Sequence, residues 1–161
     1  MEAIMRNIIL TGALICLSGA AVAQEHTLTT YTVLDAPEYL DLADSGPSVG
    51  DMYLRHGEVA LSEDGPVVGE YYTQATLVSH DEEAGRSARA FHKEFVLPEG
   101  SIYTLDFVQL DHGRPVEAEH VSEGAIIGGT GDYAGVRGTY TLRIAPSGDL
   151  AETTLQYWLG K

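Results

Sequence analysis

Asp106 interrupts an apolar face. Alternation along 101–110 puts Ile102, Asp106, Val108 and Leu110 on one side of a strand, with Tyr103, Leu105 and Phe107 on the other. A carboxyl among aliphatic side chains is desolvated, which suits it to protonate or hydrogen-bond a carbonyl of an apolar substrate. A salt bridge to an inward-facing arginine accounts for it equally well. A second cluster, Asp132, Tyr133 and Arg137, surrounds the run Gly128-Gly129-Thr130-Gly131, a corner expected to stand at a barrel mouth close to Asp106. Arg137 carries the planar fork that holds a carboxylate or enolate through two hydrogen bonds; capping the corner on Asp132 or on backbone carbonyls is the other use of it. Asp51, beside Gly50, has the same two readings. Tyr72, Tyr103 and Tyr133 offer aromatic surface with a hydroxyl to a substrate. His92 shares a strand face with Glu94, as an acid and base or as a surface pair.

Other chemistries are excluded. His112, Glu117, Glu119 and His120 match no established ligand spacing, so no metal is expected. No Gly-x-Ser-x-Gly elbow supports a serine nucleophile. Gly129-x-Gly131-x-x-Ala134 satisfies the relaxed dinucleotide fingerprint, but that motif needs a helix next, and Ala134-Gly135-Val136-Arg137-Gly138 followed by Thr and Tyr is a poor one. The corner therefore reads as strand, tight turn, strand.

The elements that must carry these residues are strands. Residues 1–23 read as a signal peptide: Arg6 precedes the apolar run Ile8 to Leu17, and Ala21-Val22-Ala23 is a small-x-small cleavage pattern before Gln24. Cleavage leaves one domain, 24–161, exported to the periplasm or beyond the cell, with no membrane insertion afterwards. The single cysteine, Cys16, leaves with the signal, which removes disulfides, thiol nucleophiles and cysteine-ligated zinc. A formal charge of −15 repels phosphate backbones and anionic lipid, so nucleic acid is not an expected partner.

Eighteen glycines, with frequent Thr and Tyr and almost no helical periodicity, indicate an all-β chain. Strands are expected at 26–34, 51–61 with a bulge at Gly57, 66–79, 86–97, 101–110, on either side of the glycine corner within 125–142, and at 150–159. The connection 35–50 is long enough to be a lid and includes a possible helical turn at 38–43. Residues 111–123 form a second polar connection. Eight antiparallel strands joined by hairpins leave two exposed edges unless they close, so a closed eight-stranded antiparallel barrel is the economical architecture.

The order of motifs resembles the allene oxide cyclase barrel superfamily, which includes plant allene oxide cyclases, dirigent proteins and bacterial relatives. The carrying residues are Gly50-Asp51, Asp64-Gly65 with Gly69, the joint Leu97-Pro98-Glu99-Gly100-Ser101-Ile102, and above all 125–133 (AIIGGTGDY) with Arg137-Gly138. The resemblance implies an apolar cavity, a homotrimer, no metal or organic cofactor, and a reaction of the cyclase or isomerase kind. Asp35 is the nearest match to the acidic residue on the first strand of the plant cyclases, whereas Met52-Tyr53-Leu54-Arg55-His56 stands where they carry proline and asparagine. The expected partner is a small apolar molecule. Three uses of such a barrel are open: a cofactor-free cyclase, a lipocalin-like or dirigent-like binding protein without chemistry, and an assembly module whose barrel is filled.

Overall fold

The computed structural model describes residues 24–43, 46–111 and 121–160. Nine strands run antiparallel in chain order: β1 (Glu25–Leu34), β2 (Glu38–Leu40), β3 (Met52–Ala60), β4 (Val67–Asp81), β5 (Arg86–Leu97), β6 (Gly100–Asp111), β7 (Val121–Gly129), β8 (Val136–Ile144) and β9 (Leu150–Leu159). Each of β3 to β9 pairs with the next, β9 pairs with β1, and β1 pairs with β3, closing an eight-stranded barrel. The short β2 lies outside the ring, paired to the first residues of β3. It forms where a helical turn was expected: Tyr39 lies against Tyr53 with ring centres 4.8 Å apart, and this cross-strand contact holds the segment extended.

One end of the barrel is solid. Val59, Phe95, Ile102, Ile126, Val136 and Leu155 are almost completely buried and fill it as a continuous apolar core. The glycine corner caps this end. Gly131 adopts φ +58, and a Cβ there would lie 2.2 Å from the Glu99 carbonyl oxygen, so only glycine lets the corner dock on the turn between β5 and β6. Thr130 and Asp132 donate their amides to Ser101 and Glu99 across that joint, at 2.9 Å each.

Three register breaks interrupt the pairing, one of them between Tyr103 and Thr104 where β6 meets β7. The expected bulge at Gly57 is absent; Gly57 pairs regularly with Leu34 and Tyr71, and the break falls between Val59 and Ala60. The missing Cβ at Gly57 serves the crossing of β1 instead, since a side chain there would meet the Val33 carbonyl oxygen at 2.5 Å. The third, between Leu77 and Ser79, reverses the alternation of β4. Thr73, Ala75 and Leu77 face inward before it and His80 after it, so the bulge re-aims His80 at the open end.

Candidate functional site

The other end of the barrel is hollow. A cavity of about 690 Å³ opens between the β1–β3 connection, the β4–β5 turn and the β8–β9 turn. Its walls are mainly apolar and aromatic, from Ala75, Leu77, Phe91, Val108, Leu142 and Ile144, while Pro37 and Pro47 of the long connection stand at the mouth. That volume suits one small organic molecule.

Three polar side chains meet at the floor, where the hollow gives way to core. Lys93 of β5, 6 % exposed, donates to the Asp106 carboxylate and, at 2.6 Å, to the Tyr140 hydroxyl. Asp106 of β6 is 4 % exposed, and its second carboxylate oxygen has no hydrogen-bond partner among the described residues. The pairing follows from alternation and register: Asp106 sits opposite Phe91 and Thr104 opposite Lys93, so the two charged chains are diagonal neighbours on the inner face. Gly124 of β7 makes room for them, because a Cβ there would lie 2.6 Å from Tyr140 Cε1 and 2.8 Å from Asp106 Cβ.

Burial dominates the electrostatics of the floor. Desolvation pushes the Lys93 ammonium below its ordinary range, with Asp106 working in the opposite direction. Burial and the neighbouring Asp106 carboxylate push the Tyr140 hydroxyl far up, and burial does the same to Tyr71. Both phenols are therefore neutral hydroxyls at any physiological pH. Chemically, the floor offers an ammonium with three N–H donors, two of them engaged, beside a buried carboxylate that the Tyr140 hydroxyl also faces.

Of the residues singled out in the sequence, Asp106 alone lines this cavity. Its counter-ion is a lysine rather than an arginine. Arg137 lies on the exposed outer face of β8 at the solid end, donating to the Val136 carbonyl at 2.5 Å, and exposed Asp132 belongs to the corner itself. The apolar core separates both from the cavity, so the expectation that Arg137 stands near the mouth is corrected. Tyr133 packs edge-on against Tyr157, ring centres 6.1 Å apart, at the same closed end. Tyr72, Tyr103 and His92 point outward, because each is out of phase with the inner residues Tyr71, Ile102 and Lys93 beside it. Asp51 is buried but structural: its carboxylate accepts from the Tyr39 hydroxyl, the amides of Leu42 and Ser48, and the Ser48 hydroxyl. Asp35, exposed at the end of β1, contacts His56 Nδ1 at 2.9 Å. His112, Glu117, Glu119, His120 and the proposed signal peptide lie outside the described residues. No group of three or more metal-ligating side chains occurs among the described residues.

Residues 27–154 match the family model of the allene oxide cyclase barrel like domain. The chain belongs to that family. No curated protein matches its sequence significantly. Among solved structures of the same fold, a pyocyanin demethylase superposes with a TM-score of 0.62 at 21 % identity, over 82 % of this chain and 99 % of its own. A nonspecific heme-binding cyclase that catalyses a [4 + 2] cycloaddition in neoabyssomicin biosynthesis gives 0.63 at 17 % identity, over 89 % and 68 %. The pterocarpan synthase dirigent protein GePTS1 gives 0.60 at 17 % identity, over 99 % and 100 %. At these identities the likeness is one of fold, and the barrel of this family member has to be read from its own side chains.

Proposed function

We propose that the protein binds a small apolar molecule in its barrel and acts on it as a cofactor-free cyclase or isomerase. The observation that carries this reading is the Lys93–Asp106–Tyr140 cluster at the floor of an otherwise apolar cavity. A binding protein needs only the apolar walls, whereas a charged pair held in such a place is costly to bury and useful for chemistry. The narrow barrel confines a flexible substrate to a folded conformer, which is the entropic part of a ring closure. The Lys93 ammonium then donates to a substrate carbonyl oxygen, and its attraction grows as negative charge builds there in the transition state. Asp106 keeps Lys93 charged and in place. The fold neighbours that act as a cyclase and as a dirigent protein are consistent with this use of the barrel.

The test is native mass spectrometry of the wild-type protein and of a Lys93→Met/Asp106→Leu double variant, both purified from the source organism. The reading predicts one small molecule retained by each, of equal mass but different chromatographic retention, as a substrate and its isomer would show. The same compound on both would favour a binding protein, and none on either would favour a filled structural barrel. Export and a trimeric state belong to the same proposal: an intact mass beginning at Gln24 checks the first, and the second is argued below.

A further inference from the structure

We propose that the rim of the cavity is an anion subsite, formed by Arg55 and Arg89, and that the ligand is an apolar body carrying a single oxyanion. This rests on the reading that the barrel holds a small apolar molecule and adds its charge and length.

The chain carries a formal charge of −15, yet the cavity wall bears three cations, Arg55, Arg89 and Lys93, against two carboxylates, Asp106 and Glu82. Lys93 is neutralised by Asp106 at the floor, which leaves the two arginines above it. The ion pairs among the described residues are Asp35–His56 and Lys93–Asp106, so neither arginine has a described carboxylate within 4 Å. Arg55 donates Nε to the Asp35 carbonyl at 2.5 Å and Nη2 to the Gly148 carbonyl at 3.0 Å, both neutral acceptors. The carboxylates of Asp35 and Asp149 attract Arg55 through space without bonding it, being held by His56 and Ser147, and Glu82 is exposed on the turn. The Arg89 guanidinium lies 4.0 Å above the centre of the Tyr53 ring, and its buried Nε has no hydrogen-bond partner among the described residues. A partly buried guanidinium in an acid-rich chain ordinarily takes one of the many carboxylates as its partner. Two left without one among the described residues, on the wall of an apolar cavity, provide the planar donors that bind a carboxylate or enolate. Arg89 lies four residues from Lys93 along β5, roughly 13 Å, whereas Arg55 shares the Thr73 row with Lys93 and reaches the mouth through its bonds to the Asp35 and Gly148 carbonyls. The geometry thus points to a ligand whose anion sits at the mouth while its reacting group, about that far away, reaches Lys93.

A matched pair of fluorescent probes tests this: 8-anilinonaphthalene-1-sulfonate, an apolar anion, and N-phenyl-1-naphthylamine, its neutral counterpart. Both are titrated into the wild-type protein, Arg89→Gln, Arg55→Gln/Arg89→Gln, Arg55→Lys and the outward-facing control Arg143→Gln, with melting temperatures recorded for each. Anion affinity is expected to fall at least tenfold in the double variant while neutral-probe affinity stays within twofold, with Arg143→Gln close to wild type and Arg55→Lys, which keeps the charge but loses the planar fork, falling partway. Arg89→Gln alone should show a partial loss, and it is the variant least tied into the fold. Equal losses for both probes, no loss, or the same loss in Arg143→Gln would overturn the anion subsite while leaving an apolar cavity in place. If neither probe binds the wild-type protein, the cavity reading itself fails and the subsite with it.

Discussion

Removing the ammonium of Lys93 leaves the Asp106 carboxylate buried beside Phe91 and Tyr140 with no counter-ion. A Lys93→Met variant is therefore expected to lose about 3–5 kcal/mol of stability, the usual consequence of breaking a buried pair from one side. Lys93→Met/Asp106→Leu should recover most of that loss, since a well-packed apolar pair is often as stable as the ion pair it replaces. Chemical denaturation of the two singles and the double closes the cycle; additive losses would show that the two groups are not coupled. Asp106→Ala is affected by the same logic. The variant strands the buried Lys93 ammonium, so stability and ligand binding should fall together. The presence of Asp106 in the site was legible from Ile102, Val108 and Leu110 around it. Lys93 stands on one face of its strand with Phe91, Phe95 and Leu97, but His92 and Glu94 on the opposite face form an equally plausible acid–base pair in sequence. Knowing which face turns inward requires closure of the barrel, a long-range property that no single strand expresses.

At the scale of elements, the Asp51 carboxylate ties the 35–50 connection to the start of β3. The Tyr39 hydroxyl, the amides of Leu42 and Ser48 and the Ser48 hydroxyl hold its pKa well below the usual carboxylate range, and the same bond pushes the Tyr39 hydroxyl from 10.0 to about 12. A carboxyl lowered in the fold stabilises above its unfolded value, near 4, and loses that contribution as pH falls below it. A phenol raised in the fold contributes fully below 10.0 and loses its contribution as pH rises through about 12. Hydrogen-exchange protection factors of the Leu42, Ser48, Gly50 and Asp51 amides should thus hold at neutral pH and fall below roughly pH 4. Asp51→Asn should lower them at neutral pH; unchanged protection in that variant would show that the clamp does not hold the connection. The sequence marked this stretch as a long loop and Asp51 as notable, but four donors converging on one carboxylate is a product of folding. The β4 bulge that aims His80 inward was invisible for a similar reason, since Leu77-Val78-Ser79 contains no glycine to announce it.

At the scale of the molecule, the eight-strand count, the closure and the glycine corner were legible, because period-two alternation and turn residues are local signals. The end of the barrel to which the corner belongs was not, and that error moved Arg137 and Asp132 from the core-filled end to the mouth. The outer surface has its own consequence. Leu105, Phe107, Ala125 and Ile127 form an apolar stripe on the outside of β6 and β7, with Phe107 68 % exposed and Ile127 42 %. We propose that this stripe is buried in a homotrimer. Light scattering at micromolar concentration should then give three times the protomer mass, and Phe107→Glu should shift it toward one; a monomeric wild-type mass would refute the assembly. The central claim, that the barrel interior receives a small apolar molecule above Lys93 and Asp106, is tested most directly by methyl NMR during titration with N-phenyl-1-naphthylamine. The account predicts saturable shifts of the inner methyl groups of Ala75, Leu77, Val108 and Leu142, with those of Leu105, Val121 and Ile127 on the outside unmoved. Shifts confined to the outer set, or none at all, would contradict it.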